Sequence, residues 1–363
     1  MSEKQNIYFF LPNFIIGGAS RSIFNICKLI KKKNNNISVI SLGENQYKKF
    51  FHKINVNVIE LKQKKTIFAI HSIYSILKKK SHHKKIIFVS NINYANVLSC
   101  IFLKKLKNLK LILIERTPLE ELKIFFSLFD FFKKQFIFLL IKIFYKNADI
   151  IISNSEGVKK YMKSQLKLKI STIYPIIQFK KIKKKYNKFF EISWIGRDSN
   201  EKRIIDFIKS LNFINKTNII INIICDDDIR NKYKDLIDFK KFKKINFYKY
   251  GLKKNFIENV YKKTDIYVST SIFEGFPNTI AEAVINKCLV ITSDSYGGYV
   301  DIIKNNNYGL IYKTRNHIEL ANKINYAIEN FQICKKKIIL SYNELLKKSL
   351  KHNEKYKILF NTI

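Results

Sequence analysis

Short runs of apolar and β-branched residues alternate along most of this chain with longer stretches whose apolar positions recur every three or four residues. That alternation predicts strands interleaved with helices, the pattern of parallel sheets in an α/β protein. In the first half, Ile7–Leu11, Ser38–Leu42, Val56–Leu61, Ile86–Ser90, Leu111–Glu115, Asp149–Ser153 and Ser171–Tyr174 read as strands. Ser20–Lys31 and Ile67–Lys78 read as helices between them. Ile177–Phe190 is Lys-rich, weakly patterned and preceded by Pro175, which marks it as a linker. A second series follows at Glu191–Ile195, Ile219–Cys225, Ile245–Tyr248, Asp265–Ser269, Leu289–Ser293 and Leu310–Tyr312. After Asn316, the spacing of Ile318, Leu320, Ile324 and Ile328 predicts helix. The expected architecture is two Rossmann-like, doubly wound domains, residues 1–178 and 179–363, facing an interdomain cleft, with the last helix free to pack back on the first domain. Ligands of such sheets sit at the C-terminal ends of the strands.

Residues 271–282 carry the most chemistry: Ser271-Ile-Phe-Glu274-Gly275-Phe276-Pro277-Asn278-Thr-Ile-Ala-Glu282. Gly275 and Pro277 lie where a helix should begin, with Pro277 tolerated in the first turn. Glu274 then falls on the loop entering the helix and Glu282 roughly two turns inside it. A helix entrance offers free N–H groups to an anion, and carboxylates beside it would instead accept from hydroxyls. A nucleotide-sugar, with a diphosphate between two polyhydroxylated groups, fits that pairing. The plainer reading is that acidic residues gather at helix starts anyway.

Gly196-Arg197 ends the first strand of the second series, and Lys202 follows. Two cations there suit a diphosphate and the charge growing on a leaving nucleoside diphosphate; in a Lys-rich chain they are equally two solvated side chains. Gly17-Gly18 opens the helix holding Arg21, either for close backbone approach to a ligand or simply for a tight turn. Ser269 and Ser271 end the strand before Glu274, and Asp294, Gly297-Gly298 and Asp301 follow the strand Leu289–Ser293.

Composition narrows the function. At 363 residues with 47% apolar content, the chain has enough material for two cores. The formal charge of +40 invites a nucleic-acid reading, but Arg occurs only at 21, 116, 197, 203, 230 and 315. A Lys, Asn, Ile and Phe surplus of this kind reflects an AT-rich genome more than phosphate readout, which favours Arg. No nucleic-acid partner is expected. Runs such as Lys31–Lys33, Lys78–Lys80 and Lys180–Lys185 read as solvated faces, although so large a surplus would draw the protein to anionic lipid. The cysteines at 27, 100, 225, 288 and 334 lack metal or disulfide spacing and read as buried thiols of a reducing compartment. The histidines show no metal-ligand spacing, with His82-His83 in a Lys-rich turn, and Asp226-Asp227-Asp228 is read as a strand-end loop and not as a metal site. No leader is visible before the first strand, so a cytoplasmic protein is expected. Ile124 to Tyr145 is apolar but interrupted by Asp130, Lys133, Lys134 and Lys142. It reads either as a surface lying flat on a bilayer or as a pair of buried helices.

Taken together, these motifs resemble the retaining glycosyltransferases of family 4, which have the GT-B fold. Ser271 to Ala283 resembles that family's Ser-x-x-Glu-Gly-Phe-Pro segment with its paired glutamates. Gly196-Arg197 with Lys202 resembles its Gly-Arg…Lys motif, and Gly17-Gly18-Ala-Ser-Arg21 its N-terminal loop. Ala148 to Ser155 and Asp294 to Gly298 resemble further family segments, so the likeness covers nearly the whole chain. It implies that Arg197 and Lys202 hold the donor diphosphate, that Glu274 contacts the transferred sugar, and that Glu282 takes the ribose. Gly17 and Gly18 would let the N-terminal loop close near the phosphate. Ser271, Gly275, Phe276, Pro277, Asn278 and Gly196 would shape the donor site. Where many members place a His after the strand Leu111–Glu115, this chain reads Glu115-Arg116-Thr-Pro, and Glu115 and Arg116 are the catalytic candidates there.

The expected activity is transfer from a UDP-linked or similar nucleoside-diphosphate-sugar to a hydroxyl of a glycan or lipid-linked glycan, in cell-surface polysaccharide or lipopolysaccharide synthesis. No cofactor or metal is expected. Peripheral contact with an anionic membrane is, at the inner face of the cytoplasmic membrane. The rivals are a nucleotide-sugar epimerase on the same fold and a non-catalytic basic binding protein.

Overall fold

The computed structural model of the chain describes residues 5–31, 35–81, 85–125, 127–179, 182, 184, 188–226, 228–249 and 254–361. His82, His83, Asp227, Gly251, Lys32, Lys33 and most of the run Lys180–Lys185 lie outside the described residues. The chain divides into two compact units, residues 1–176 with 350–363, and residues 177–349.

In the first unit, β1 (Gln5–Phe10), β2 (Asn35–Ser41), β3 (Asn57–Glu60), β4 (Ile86–Asn91), β5 (Leu109–Glu115), β6 (Ile150–Ser153) and β7 (Ile170–Thr172) form one parallel sheet in the order β3-β2-β1-β4-β5-β6-β7. Successive side chains of a strand leave on opposite faces. Tyr8, Phe10, Ile86, Phe88, Leu111 and Leu113 accordingly enter one core, while Ile7, Phe9, Ile87, Val89, Ile112 and Ile114 enter another. A sheet covered on both faces demands unbroken apolar strands, which is why these segments read as runs in the sequence.

The second unit repeats the plan. β8 (Phe190–Ile195), β9 (Ile219–Cys225), β10 (Lys244–Lys249), β11 (Ile266–Ser269), β13 (Leu289–Ser293) and β15 (Leu310–Tyr312) pair in the order β10-β9-β8-β11-β13-β15. Two short strands, β12 (Phe273–Glu274) and β14 (Tyr296–Gly297), pair in parallel outside that sheet. The chain reverses direction of winding between β1 and β4 in the first sheet and between β8 and β11 in the second, and these switch points are where such folds open for ligands.

Residues 350–363, placed by sequence order in the second domain with the last helix left free to pack back on the first, group with the first unit. The reason is apolar: Tyr356 and Phe360, on the helix Phe331–Asn361, are buried in its core, with the Phe360 ring 5.8 Å from that of Phe9. The His352 ring stacks on Tyr174 at 3.9 Å, and its Nδ1 accepts from the Tyr174 amide at 3.1 Å. Of the two readings of the apolar segment after Ile124, the pair of buried helices does not form. The segment forms one helix, Leu128–Phe144, of which only Ile137 and Ile141 are buried.

His352→Ala removes both the stack and the acceptor for a buried amide, at an expected cost of about 1–2 kcal/mol. Hydrogen exchange should then accelerate in residues 350–361 before the rest of the first unit; unchanged protection there would contradict the docking role.

Candidate functional site

The loops that follow β8 and β11 meet at the switch point of the second sheet. After β8 the chain runs Gly196-Arg197, turns through Ser199, whose carbonyl accepts from the amides of Lys202 and Arg203, and enters the helix Ile204–Leu211. Gly196 is required by contact: a Cβ there would lie 2.8 Å from the Trp194 ring. Arg203 takes the left-handed conformation at φ 46°, which costs an L-residue energy. It is held there by two bonds to Asp206, at 2.6 and 2.7 Å.

After β11 the chain passes Thr270 and Ser271 to Glu274. Two hydrogen bonds to backbone carbonyls stitch this loop to the first: the Ile272 amide donates to the Glu201 carbonyl at 2.9 Å, and Thr270 Oγ1 donates to the Lys202 carbonyl at 2.6 Å. Thr270 is itself fixed by Trp194 Nε1 at 2.9 Å. The side chains then converge. The Lys202 ammonium donates to Glu274 Oε1, and Ser271 Oγ donates to the same oxygen at 2.8 Å. The pairing of β12 with β14 holds Glu274 beside Gly297, whose φ of 97° a glycine tolerates without strain.

Other expected residues surround this centre. Arg197 is exposed and pairs with Glu201 at 3.3 Å. Gly275, Phe276 and Pro277 are buried, and Pro277 precedes the helix Asn278–Ile285 as its N-cap where the sequence reading had it in the first turn. Glu274 lies in a strand where a loop was expected, and Glu282 is partly buried little more than one turn into the helix, where two turns were expected. Asp294 is engaged by Thr314, whose amide donates to it at 2.7 Å.

A cavity of about 290 Å³ opens beyond β9 and β10, lined among others by Cys225, Asp226, Asp228, Phe247 and Tyr248. Asp226 accepts from the Asp198 amide at 2.8 Å, and Asp228 caps the turn Ile229–Lys232. Both aspartates are thus used in tying down loops around that cavity. Among the described residues no group of three or more His, Cys, Asp or Glu stands at metal-binding distance.

In the first unit, Gly17 caps the helix Gly18–Ile30 with an extended backbone, and a Cβ there would meet no atom within 4 Å. Among the described residues no contact demands glycine at this position. Glu115 ends β5 with no exposed surface. It accepts from Tyr145 Oη at 2.6 Å, from Asn96 Nδ2 at 3.4 Å and from the Arg116 amide at 3.2 Å. Burial pushes its carboxyl up to about 7, against the lowering effect of those donors. The buried Arg116 guanidinium, lowered by burial to about 10, donates from Nε to Asn91 Oδ1 at 2.9 Å. Next to Asn91, Ile92 sits at φ 77°, a strained value for a β-branched residue, at the switch point of this sheet. Sequence reasoning missed Trp194, Thr270, Arg203, Asn91, Asn96 and Tyr145, which support site residues through contacts distant in sequence.

Comparison with known proteins follows the same division. The Glycosyltransferase Family 4 profile matches residues 16–180, and the Glycosyl transferases group 1 profile matches residues 176–349. An uncharacterized glycosyltransferase of Methanocaldococcus jannaschii is 30% identical over 254 residues, covering 63% of this chain and only 61% of that relative's length. In Campylobacter jejuni, the GalNAc-alpha-(1->4)-GalNAc-alpha-(1->3)-diNAcBac-PP-undecaprenol alpha-1,4-N-acetyl-D-galactosaminyltransferase is 25% identical over 350 residues, 90% of each chain. Among solved structures, Anabaena HepE in complex with UDP-glucose matches with a TM-score of 0.75 at 16% identity, covering 99% of this chain and 100% of that one. That likeness is one of fold, the two parallel-sheet domains of the GT-B class.

Glu115 generates a pH prediction. Its folded value lies above its ordinary 4.5, so the stability it contributes is complete below that pH and is lost as pH rises through about 7. The loss is on the order of 3 kcal/mol. Glu115→Gln should flatten the urea-unfolding stability profile between pH 5 and 7.5; an equally steep profile would contradict the burial effect.

Proposed function

We propose a reaction for this chain, which belongs to the group 1, family 4 glycosyltransferases and is therefore a transferase: it moves a sugar from a nucleoside-diphosphate donor to an acceptor hydroxyl, with retention at the anomeric carbon. The convergence of Lys202, Glu274 and Ser271 at the switch point carries this reading. A diphosphate arriving there competes with Glu274 for the Lys202 ammonium and finds Arg197 on the same loop. The two cations offset the charge that builds on the leaving diphosphate, so no metal is needed for that task. Glu274, released from Lys202, is left to accept from hydroxyls of the transferred sugar. Glu282 takes the ribose hydroxyls, and the cavity at Phe247 and Tyr248 takes the base.

In the reaction, the bond between the anomeric carbon and the diphosphate oxygen breaks, and its electron pair leaves with the nucleoside diphosphate. The acceptor oxygen bonds to the same face of the carbon. Its proton passes to an oxygen of the departing phosphate, which removes the need for a histidine after β5. Glu115, having no exposed surface, is assigned a positioning role: it holds Tyr145 and the Arg116 amide in place at the end of β5.

A UDP-linked donor is supported by the fold likeness to a protein crystallised with UDP-glucose. A glycan on a diphosphate-linked lipid is supported as acceptor by the Campylobacter relative, whose name carries a PP-undecaprenol-linked glycan. The reading we adopt is work in cell-surface polysaccharide or lipopolysaccharide synthesis, peripherally at the inner face of the cytoplasmic membrane; the lipid-linked glycan in the Campylobacter relative's name supports it. Among the described residues no helix is long and apolar enough to cross a membrane.

A thermal-shift screen across nucleoside diphosphates and their sugars should single out one nucleotide, because a ligand of the folded state raises apparent stability. With that donor, Glu274→Ala and Arg197→Ala should each lower transfer at least 10²-fold or so while leaving the melting temperature within a few degrees. Transfer at the wild-type rate by either variant would refute the assignment.

A further inference from the structure

The helix Leu128–Phe144 is apolar on two faces, and only one of them is used by the first unit. Ser127 caps it, its Oγ accepting from the Asp130 amide at 3.1 Å. Buried Ile137 and Ile141, with partly buried Phe138, Leu140 and Phe144, fix its inner side in the core. The outer side holds Leu128, Phe129, Phe132 and Phe136, which are 78%, 80%, 67% and 61% exposed, continued by exposed Leu139 and Ile143. At about 100° per residue, positions 128, 132, 136, 139 and 143 fall within an arc of about 80°, and Phe129 widens it to about 100°. An exposed apolar stripe of this size marks an interaction surface.

Charge identifies what it meets. Exposed Lys142 borders one edge of the stripe and exposed Lys133 the other, and exposed Lys146 follows the helix. Asp130, the helix's single acidic residue, is bonded to Lys134 at 2.8 Å and lies outside the apolar arc. The outward face is therefore Phe and Leu with cationic margins. A second copy of the chain would bring lysine against lysine, with a formal +40 on each partner adding repulsion. A negatively charged bilayer surface complements both parts: the rings enter the acyl boundary and the lysines meet phosphate. The inner face is committed to the core, so the helix lies along the interface and does not span.

We propose that the outer face of Leu128–Phe144 docks the protein on anionic phospholipid. This deepens the reading of a lipid-linked acceptor, which has to be met at a bilayer, yet the binding itself needs neither donor nor acceptor and is tested without them. The full chain is floated with vesicles of phosphatidylglycerol and phosphatidylethanolamine, and with phosphatidylcholine alone. It should bind the first far more tightly. Lys133→Glu/Lys142→Glu/Lys146→Glu should weaken binding on the order of a hundredfold or more. Phe129→Ser/Phe132→Ser/Phe136→Ser should abolish it. Because a multiple variant can fail to fold, Phe132→Trp provides a separate reading: its emission should be quenched by brominated phosphatidylglycerol vesicles, while Trp194, 2% exposed, stays silent. Absence of quenching, or unchanged flotation of the folded serine variant, would overturn the proposal. So would a serine variant that converts an oligomer to a monomer without altering flotation, which would assign the stripe to a second copy.

Discussion

The contact between the Lys202 ammonium and the Glu274 carboxylate is the constraint around which the second unit is arranged. An ion pair with partial solvent access contributes only about 0–1 kcal/mol to stability. The supporting structure is out of proportion to that figure. Trp194 holds Thr270, Thr270 holds the Lys202 carbonyl, the Ile272 amide holds Glu201, and Ser271 shares the Glu274 oxygen. Such reinforcement makes sense for preorganisation: two loops from the two sides of a switch point are kept in register so that a cation and a carboxylate stay within reach of one ligand. The apolar core of the second unit is built from its strands and helices and does not include this pair.

The first unit uses polar burial differently. Glu115 and Arg116 are enclosed with Asn91, Asn96 and Tyr145 at the ends of β4 and β5. Burial raises one group and lowers the other, so both are held nearer to neutrality than on a surface. This network ties the ends of β4 and β5 together, and Ile92 is strained beside it. The second unit therefore presents reachable charges, while the first presents a buried polar network and, at Gly17, a glycine with open space beside it.

Much of this was legible in the sequence because both sheets are covered on two faces. Runs such as Leu111–Glu115 and Ile219–Cys225 leave no other reading, and the Gly and Pro residues, scarce in this chain, punctuate them. The segment 271–282 stood out because its carboxylates flank a helix entrance, although the helix starts one residue later than Pro277. What was hidden depends on contacts far apart in sequence. The two-residue strands β12 and β14 are too short to carry a period. Trp194 and Thr270 look like ordinary strand residues until they bond. Arg203 shows no sign of its left-handed turn, since any residue can be held there by an adequate partner. The helix Leu128–Phe144 could not be settled as buried or exposed, because it carries apolar residues on two faces and periodicity cannot tell which face a protein covers.

The central claim is a division of labour: the cations of the second unit grip a diphosphate, and Glu274 reads the sugar. Calorimetric titration of the nucleoside diphosphate and of its sugar into Lys202→Ala and Glu274→Ala tests it most directly. The account predicts that Lys202→Ala weakens both ligands alike, whereas Glu274→Ala leaves the bare diphosphate at least as tight as before and removes only the extra affinity of the sugar. Equal losses for both ligands in the Glu274 variant, or none for either in the Lys202 variant, would contradict it.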